Sequence, residues 1–162
     1  MLSKELYIII HNIRSAYNVG AVFRSSDGAG VRKIYLTGYT PAPFREGVDL
    51  YETQAYKMIS KTALGAEKII PWSKEKNISK VIRGLKKEGV KIIALEEDKN
   101  AVDYKRFVPQ FPCALILGNE VRGIDKKILN KCDAIISIPM RGQKESLNVS
   151  VAAGIAIYEI LH

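Results

Sequence analysis

Five apolar runs punctuate the chain, at residues 6–10, 33–36, 91–95, 114–117 and 134–138. None alternates polar with apolar positions, as a strand with one wet face does. Each therefore predicts a strand covered on both sides, the pattern of a parallel α/β sheet. Between the runs the spacing turns helical. Ile78, Val81, Ile82 and Leu85 recur at three and four residues, while Lys80, Arg83, Lys86 and Lys87 take the other faces. With Gly89 as a stop, this predicts an amphipathic crossover helix whose basic side is solvated. The expected fold class is α/β, a mostly parallel sheet flanked by helices.

The last helix, expected over about residues 147–161, is patterned differently. Val149, Ala152, Ala153, Ala156, Ile157 and Ile160 form one stripe, and Val151 and Ile155 carry apolar character to the other side. A helix apolar nearly all round must be buried nearly all round. In a chain this small that requires threading deep into the fold or packing on a second subunit, and both are expected here, so the chain reads as a homodimer. The small positions Ala152, Ala153, Gly154 and Ala156 permit close approach of other helices. Residues 39–56 show no period: two prolines, a glycine, Arg45 and several aromatics make an irregular connection, expected to be a substrate-side loop.

A length of 162 residues suits one domain, 1–162, long enough to bury roughly 68–70% of its unfolded surface. Hydrophobic residues at 47% and charged residues at 26% exclude a disordered or fibrous chain. The first apolar run follows Lys4 and Glu5 and is too short for a signal-peptide core or a membrane span, so a cytoplasmic protein without a membrane partner is expected. Cys113 and Cys132 lie in or beside predicted core elements with no metal-ligand spacing, so free buried thiols and no metal are expected. Lys plus Arg at 25 against Asp plus Glu at 17 gives a net charge of +8. That balance favours a polyanionic partner.

The candidate chemistry sits in three blocks. Directly after the first strand, residues 12–24 read Asn-Ile-Arg-Ser-Ala-Tyr-Asn-Val-Gly-Ala-Val-Phe-Arg. Asn18 is expected to cap the following helix, whose free amides suit a phosphate, and Arg24, one or two turns on, adds bidentate contact to the same group. Further on come Leu117-Gly118-Asn119-Glu120 and then Ile138-Pro139-Met140 followed by Glu145-Ser146-Leu147-Asn148. The latter two each follow a predicted buried strand, so two strand ends deliver groups to one cleft. A glycine after a strand by itself marks only a turn; the joint occurrence is specific.

Together the three blocks resemble the signature motifs of the TrmH/SpoU family of SPOUT-class RNA methyltransferases, which transfer a methyl group from S-adenosylmethionine to a ribose 2′-hydroxyl. The first motif matches residues 18–24, the second 117–123 with Glu120, and the third 138–148 and on into the last helix. Residues 61–66, Lys-Thr-Ala-Leu-Gly-Ala, are similar to another family segment, so the match runs from Asn12 to Glu159. The resemblance implies a deep C-terminal trefoil knot and a homodimer. There is no Gly-x-Gly-x-x-Gly after the first strand, so a Rossmann nucleotide site is not supported. The implied cofactor grip comes instead from main-chain groups of four loops, at Ala94, Leu95 and Glu96, at Leu117 and Gly118, at Ile138, Pro139 and Met140, and at Ser146 and Leu147. Gly118 would let the backbone approach the ligand, and Leu117, Ile138, Met140 and Leu147 suit an adenine slot. Glu96 is either an acceptor for the cofactor's ribose hydroxyls or an exposed carboxylate without a role.

The resemblance assigns Arg24 to the transfer step, with Asn18, Glu120, Ser146 and Asn148 as polar neighbours. A guanidinium with a pKa above about 12 is a costly free base. Arg24 is therefore read as a stabiliser of the developing alkoxide, the proton passing to phosphate, water or Glu120; action as the base is the alternative. Glu120 reads equally as a partner of Arg24 or of a backbone amide, and Asn148 and Ser146 equally as caps. Asn18, Arg24, Arg14, Arg45 and Arg122 are the expected RNA contacts. Because the chain opens on its first strand and ends on its last helix, no added RNA-binding domain is expected, and target choice falls to the core, the 39–56 loop, the dimer's basic surface or a partner protein. The expected activity is ribose 2′-O-methylation of tRNA or rRNA. Its rivals are methylation of an RNA base and a catalytically silent RNA-binding or assembly factor.

Overall fold

Both faces of the apolar runs are used. The computed structural model describes residues 3–162. In β1 (Leu6–His11), Ile8 and Ile10 enter one core layer and Ile9 the other, all fully buried. β6 (Cys113–Leu117) repeats this, with Leu115 and Leu117 on one side and Ala114 and Ile116 on the other. Each fully buried Ile or Leu contributes roughly 1.5–3 kcal/mol of transfer free energy. The remaining apolar runs form β2 (Lys33–Thr37), β4 (Lys91–Leu95) and β7 (Ala134–Ser137).

Two strands were not among those expected. β3 (Trp72–Glu75) and β5 (Val102–Asp103) complete a seven-stranded parallel sheet of order β3-β2-β1-β6-β4-β7-β5. They are its two edges. An edge strand pairs on one side only and tolerates charge, so Trp-Ser-Lys-Glu and Val-Asp carry no apolar signature.

Helices cover both faces. α1 (Ala16–Ala29), α2 (Gln54–Ala63), α3 (Ala66–Ile69) and α6 (Val149–Leu161) share one core, through Val19, Phe23, Ile59, Ala66 and Ile157. α4 (Ile78–Lys87) and α5 (Lys126–Leu129) pack on the opposite face through Ile78, Ile82, Leu85 and Ile128. Asn77 caps α4, its side chain accepting from the Ser79 amide at 2.9 Å.

Two expectations about helices change. Ser15, not Asn18, is the N-cap of α1: its Oγ accepts from the Asn18 amide at 3.3 Å. The helix starts earlier than Asn18 requires, which places Asn18 inside the first turn and frees its carboxamide for other partners. α2 begins within the stretch expected to be irregular, capped by Thr53, whose Oγ1 accepts from the Tyr56 amide at 3.1 Å. Its core face of Tyr56, Ile59 and Ala63 has helical spacing. α6, expected to be buried nearly all round, is buried along Ala153, Ala156, Ile157 and Ile160, while Val151, Ile155 and Tyr158 are 52%, 37% and 46% exposed in the single chain. It runs alongside α1, from an Asn148–Asn18 hydrogen bond at one end to His162 beside the Ala29 carbonyl at the other.

Cys113 is buried and Cys132 half-buried, and both are free. Burial pushes their thiols up to about 12 and about 11, so neither is a thiolate at neutral pH. Among the described residues, no helix is long and apolar enough to cross a membrane.

The glycine of the Asn-x-Gly-x-x-x-Arg block serves this packing. A Cβ on Gly20 would collide with Thr62 Oγ1 and with the Ile59 carbonyl oxygen where α1 meets α2. In an open helix, replacing Gly by Ala stabilises by about 1 kcal/mol. Here the opposing backbone cannot yield, so Gly20→Ala is expected to destabilise by roughly 1–3 kcal/mol. Urea unfolding should show a lower midpoint at unchanged slope; a stabilised variant would contradict the tight α1–α2 contact.

Candidate active site

β6 ends in a loop that closes on itself. The Asn119 amide donates to the Gly123 carbonyl at 3.2 Å and the Gly123 amide returns to the Asn119 carbonyl at 2.9 Å. A Cβ on Gly118 would lie 2.7 Å from the Gly123 carbonyl carbon and 2.5 Å from Ile124 Cγ1. Gly118 is thus required by its own loop, in addition to any close approach to a ligand in the cavity it lines. Gly123 takes a left-handed φ of 67°, and a side chain there would strike the Glu96 carboxylate. Glu96 in turn accepts from the Ile124 amide at 2.7 Å and the Glu97 amide at 2.9 Å. Neither reading of Glu96 anticipated this; it ties the end of β4 to the loop after β6.

Asn119, quoted in the sequence block without a role, is 9% exposed and uses its whole carboxamide. Its Oδ1 accepts from the amides of Val121 at 3.0 Å and Arg122 at 2.8 Å. Its Nδ2 donates to the Asn12 carbonyl and to Tyr39 Oη, both at 2.9 Å. A polar side chain immediately after a buried strand was the available signal.

Glu120 reaches the start of α1. Its carboxylate accepts from the amides of Arg14 at 3.1 Å and Ser15 at 3.0 Å and from Asn18 Nδ2 at 3.4 Å. Of the two sequence readings, partner of Arg24 or of a backbone amide, the geometry is the second. Partial desolvation raises its pKa, but the amides of Ser15, Glu120 itself and Arg14, with the Asn18 side chain, together outweigh it and hold the carboxyl below its ordinary value. It is ionised at neutral pH and a poor proton acceptor. The chain of contacts continues from Asn18 Oδ1, which accepts from Asn148 Nδ2 at 3.2 Å. Asn148 also caps α6, its Oδ1 accepting from the amides of Ser150 and Val151 at 2.9 and 3.4 Å.

Beyond the carboxyl ends of β4, β6 and β7, on the α6 side, lies a cavity of about 230 Å³. Ligands of open α/β sheets bind in this position. Of the residues expected to grip a cofactor, Leu95, Glu96, Leu117, Gly118, Ile138, Met140, Ser146 and Leu147 line it, joined by Asn119, Glu120, Ser137, Asn148 and Val149. Ala94 and Pro139 do not line it. Ala94 is fully buried toward α4, since adjacent strand residues point to opposite faces, and Pro139 is exposed between two residues that do line the cavity. The charged residues of the lining are Glu96, Glu97 and Glu120, with no Lys or Arg among them. In a chain of net charge +8, that sign marks a site for a ligand carrying positive charge rather than for phosphate.

The cations lie outside. Arg24 is exposed on α1, away from the cavity lining, and among the described residues it has no ion-pair or hydrogen-bond partner. Arg14, whose amide Glu120 holds, and Arg122, between Val121 and Gly123 of the lining, are exposed. Arg45 is engaged within its own loop: Nη2 pairs with Asp49 Oδ1 at 3.1 Å and its amide donates to Oδ2 at 2.7 Å. The five expected RNA contacts therefore divide. Asn18 joins the polar chain at the cavity, and the four arginines are spread over the surrounding surface.

The model of the SpoU rRNA Methylase family matches residues 5–158. The chain belongs to this family. It is 33% identical over 153 residues to a Staphylococcus haemolyticus protein named for the TrmH family of tRNA/rRNA methyltransferases, a match covering 94% of this chain and 57% of that protein. It superimposes with a TM-score of 0.85 and 28% identity on an AdoMet-bound rRNA methyltransferase from Sinorhizobium meliloti, over 97% of this chain and 56% of that one. An RNA 2′-O ribose methyltransferase gives a TM-score of 0.79 at 28% identity, over 96% and 55% of the two chains. This SpoU-family chain thus spans little more than half the length of these relatives.

In this SpoU-family site, the lowered Glu120 pKa has a consequence for stability. A carboxylate held below its ordinary value of roughly 4.3 contributes stability that is present above that pH and lost as pH falls through the folded-state value. Between about pH 7 and pH 3 the wild type is expected to lose more stability than Glu120→Gln, measured as urea midpoints. Equal losses would contradict the amide clamp.

Proposed function

We propose that this chain is an S-adenosylmethionine-dependent methyltransferase that methylates a ribose 2′-hydroxyl of tRNA or rRNA. The proposal includes a homodimer, a C-terminal trefoil knot and a cytoplasmic location. The observation that carries it is the acid-lined cavity at the strand ends, joined at Glu120 to the chain Asn18–Asn148. The lining fits the methyl donor. Leu117, Ile138, Met140 and Leu147 offer an apolar slot for an adenine, and Glu96, Glu97 and Glu120 complement the positive sulfonium and ammonium groups. The AdoMet-bound and 2′-O ribose relatives support the same donor and acceptor.

When bound, S-adenosylmethionine supplies a methyl group activated by the sulfonium. The protein then has to align the ribose oxygen and help its proton leave. Asn18, oriented by Glu120 and Asn148, is the polar side chain best placed to orient the incoming ribose. Of the three acceptors considered for the 2′-proton, a phosphate or water is preferred here, because the Glu120 carboxylate already accepts from three donors. Arg24 stabilises the developing alkoxide.

On its own chain Arg24 stands exposed, outside the cavity lining. The exposed α6 stripe of Val151, Ile155 and Tyr158, spaced at four and three residues, is the surface proposed for docking of the second subunit.

Titration calorimetry should detect S-adenosylmethionine binding of equal strength in wild type and Arg24→Ala. Methyl transfer to RNA should fall roughly 10²–10³-fold in the variant, the scale of losing one transition-state donor. An affinity loss matching the rate loss would place Arg24 at the donor instead. Light scattering should report a dimeric mass for the wild type and half that for Ile155→Glu with helical content retained. An unchanged mass would contradict the α6 interface.

A further inference from the structure

The groove does not end at Glu120. Arg14 and Ser15, whose amides Glu120 holds, wall a second depression with Tyr39, Pro41, Ala55 and Met58. Pro41 and Ala55 then border a third, of about 510 Å³, beneath residues 41–53. The second and third depressions share Pro41 and Ala55, and the hydrogen bonds of Glu120 to Arg14 and Ser15 join the second to the cavity, so a path leads away from the proposed transfer site and its chemistry changes along the way. The far cleft has an aromatic wall, Phe44 and Tyr56 with ring centroids 5.7 Å apart and Tyr51 nearby.

Cations border that cleft. Lys74 is held by the carbonyls of Gly38, at 2.8 Å, and Thr40, and Arg45 is held by Asp49. Two cations against one carboxylate leave the cleft positive. The strap above it presents Leu50 at 96% and Tyr51 at 72% exposure. Large apolar side chains this exposed, next to immobilised cations, suit a flat, unstacked base with its phosphate. The positive charge matches RNA, and the route from the ribose site suits a single strand continuing from it.

We infer that this cleft holds an unpaired nucleobase of the substrate RNA, a neighbour of the methylated nucleotide, and that the strap at Leu50 and Tyr51 thereby helps select the target. The inference rests on the ribose-methylation reading above. Both strap side chains are solvent-exposed, so Leu50→Ser with Tyr51→Ala leaves the core intact.

The test compares the wild type and this double variant for binding a short fluorescein-labelled single-stranded oligoribonucleotide of mixed sequence, with S-adenosylmethionine calorimetry on the same preparations. Affinity for the oligoribonucleotide is expected to fall about 5- to 100-fold, the scale of losing base–aromatic stacking, with S-adenosylmethionine affinity unchanged. Equal RNA affinities in the two proteins, with S-adenosylmethionine bound by both, would overturn the cleft and leave the enzyme reading intact. A wild type that bound neither ligand would overturn both. A double variant of lower mass on a sizing column would show that the strap serves a second copy, and would also overturn the inference.

Discussion

Two adjacent side chains, Asn119 and Glu120, hold the loop after β6 against the loop after β1, and the cavity takes its shape from that clamp. Both bond mainly to backbone groups, with one side-chain partner each, Tyr39 and Asn18. Asn119 is buried, so although each neutral hydrogen bond contributes only about 0.5–1.5 kcal/mol, removing it strands buried partners at about 1–3 kcal/mol. Glu120 is more exposed and its bonds are screened by water, so its importance is positional. It fixes where α1 begins, and so where Asn18 stands relative to Asn148.

That arrangement separates charge. The chain is basic overall, yet the charged groups lining the cavity are carboxylates. A donor bearing a sulfonium and a polyanionic acceptor have opposite requirements, and a surface uniformly positive would favour RNA everywhere, including where the donor must sit. Glu120 lies at the boundary, its charge compensated by neutral amides rather than by a cation. Arg24, Arg14 and Arg122 are exposed outside the cavity lining.

The central strands were legible because their physics is one-dimensional: a strand buried on both faces must be apolar throughout, as β1 and β6 are. β3 and β5 were not, since an edge needs no such run. The start of α1 was misplaced by three residues because Ser15 and Asn18 are both good caps, and only the Glu120 contact, from more than a hundred residues away, decides between them. Sequence separation also hid the duties of Glu96, 28 residues from Ile124, and of Asn119, 107 residues from Asn12. Ala94 was named with its neighbours, but alternation along β4 turns its side chain to the opposite core layer. α6 was read as buried nearly all round, partly on a second subunit, and the face left for that subunit is the one the single chain leaves bare.

The position of the transferred methyl tests this account most directly. Incubating the protein with S-adenosylmethionine carrying a deuterated methyl group and with tRNA or rRNA, then digesting to nucleosides, allows mass-spectrometric fragmentation to separate ribose from base. The account predicts label in the ribose fragment and none in the base. Label on a base, or none with either RNA, would contradict it.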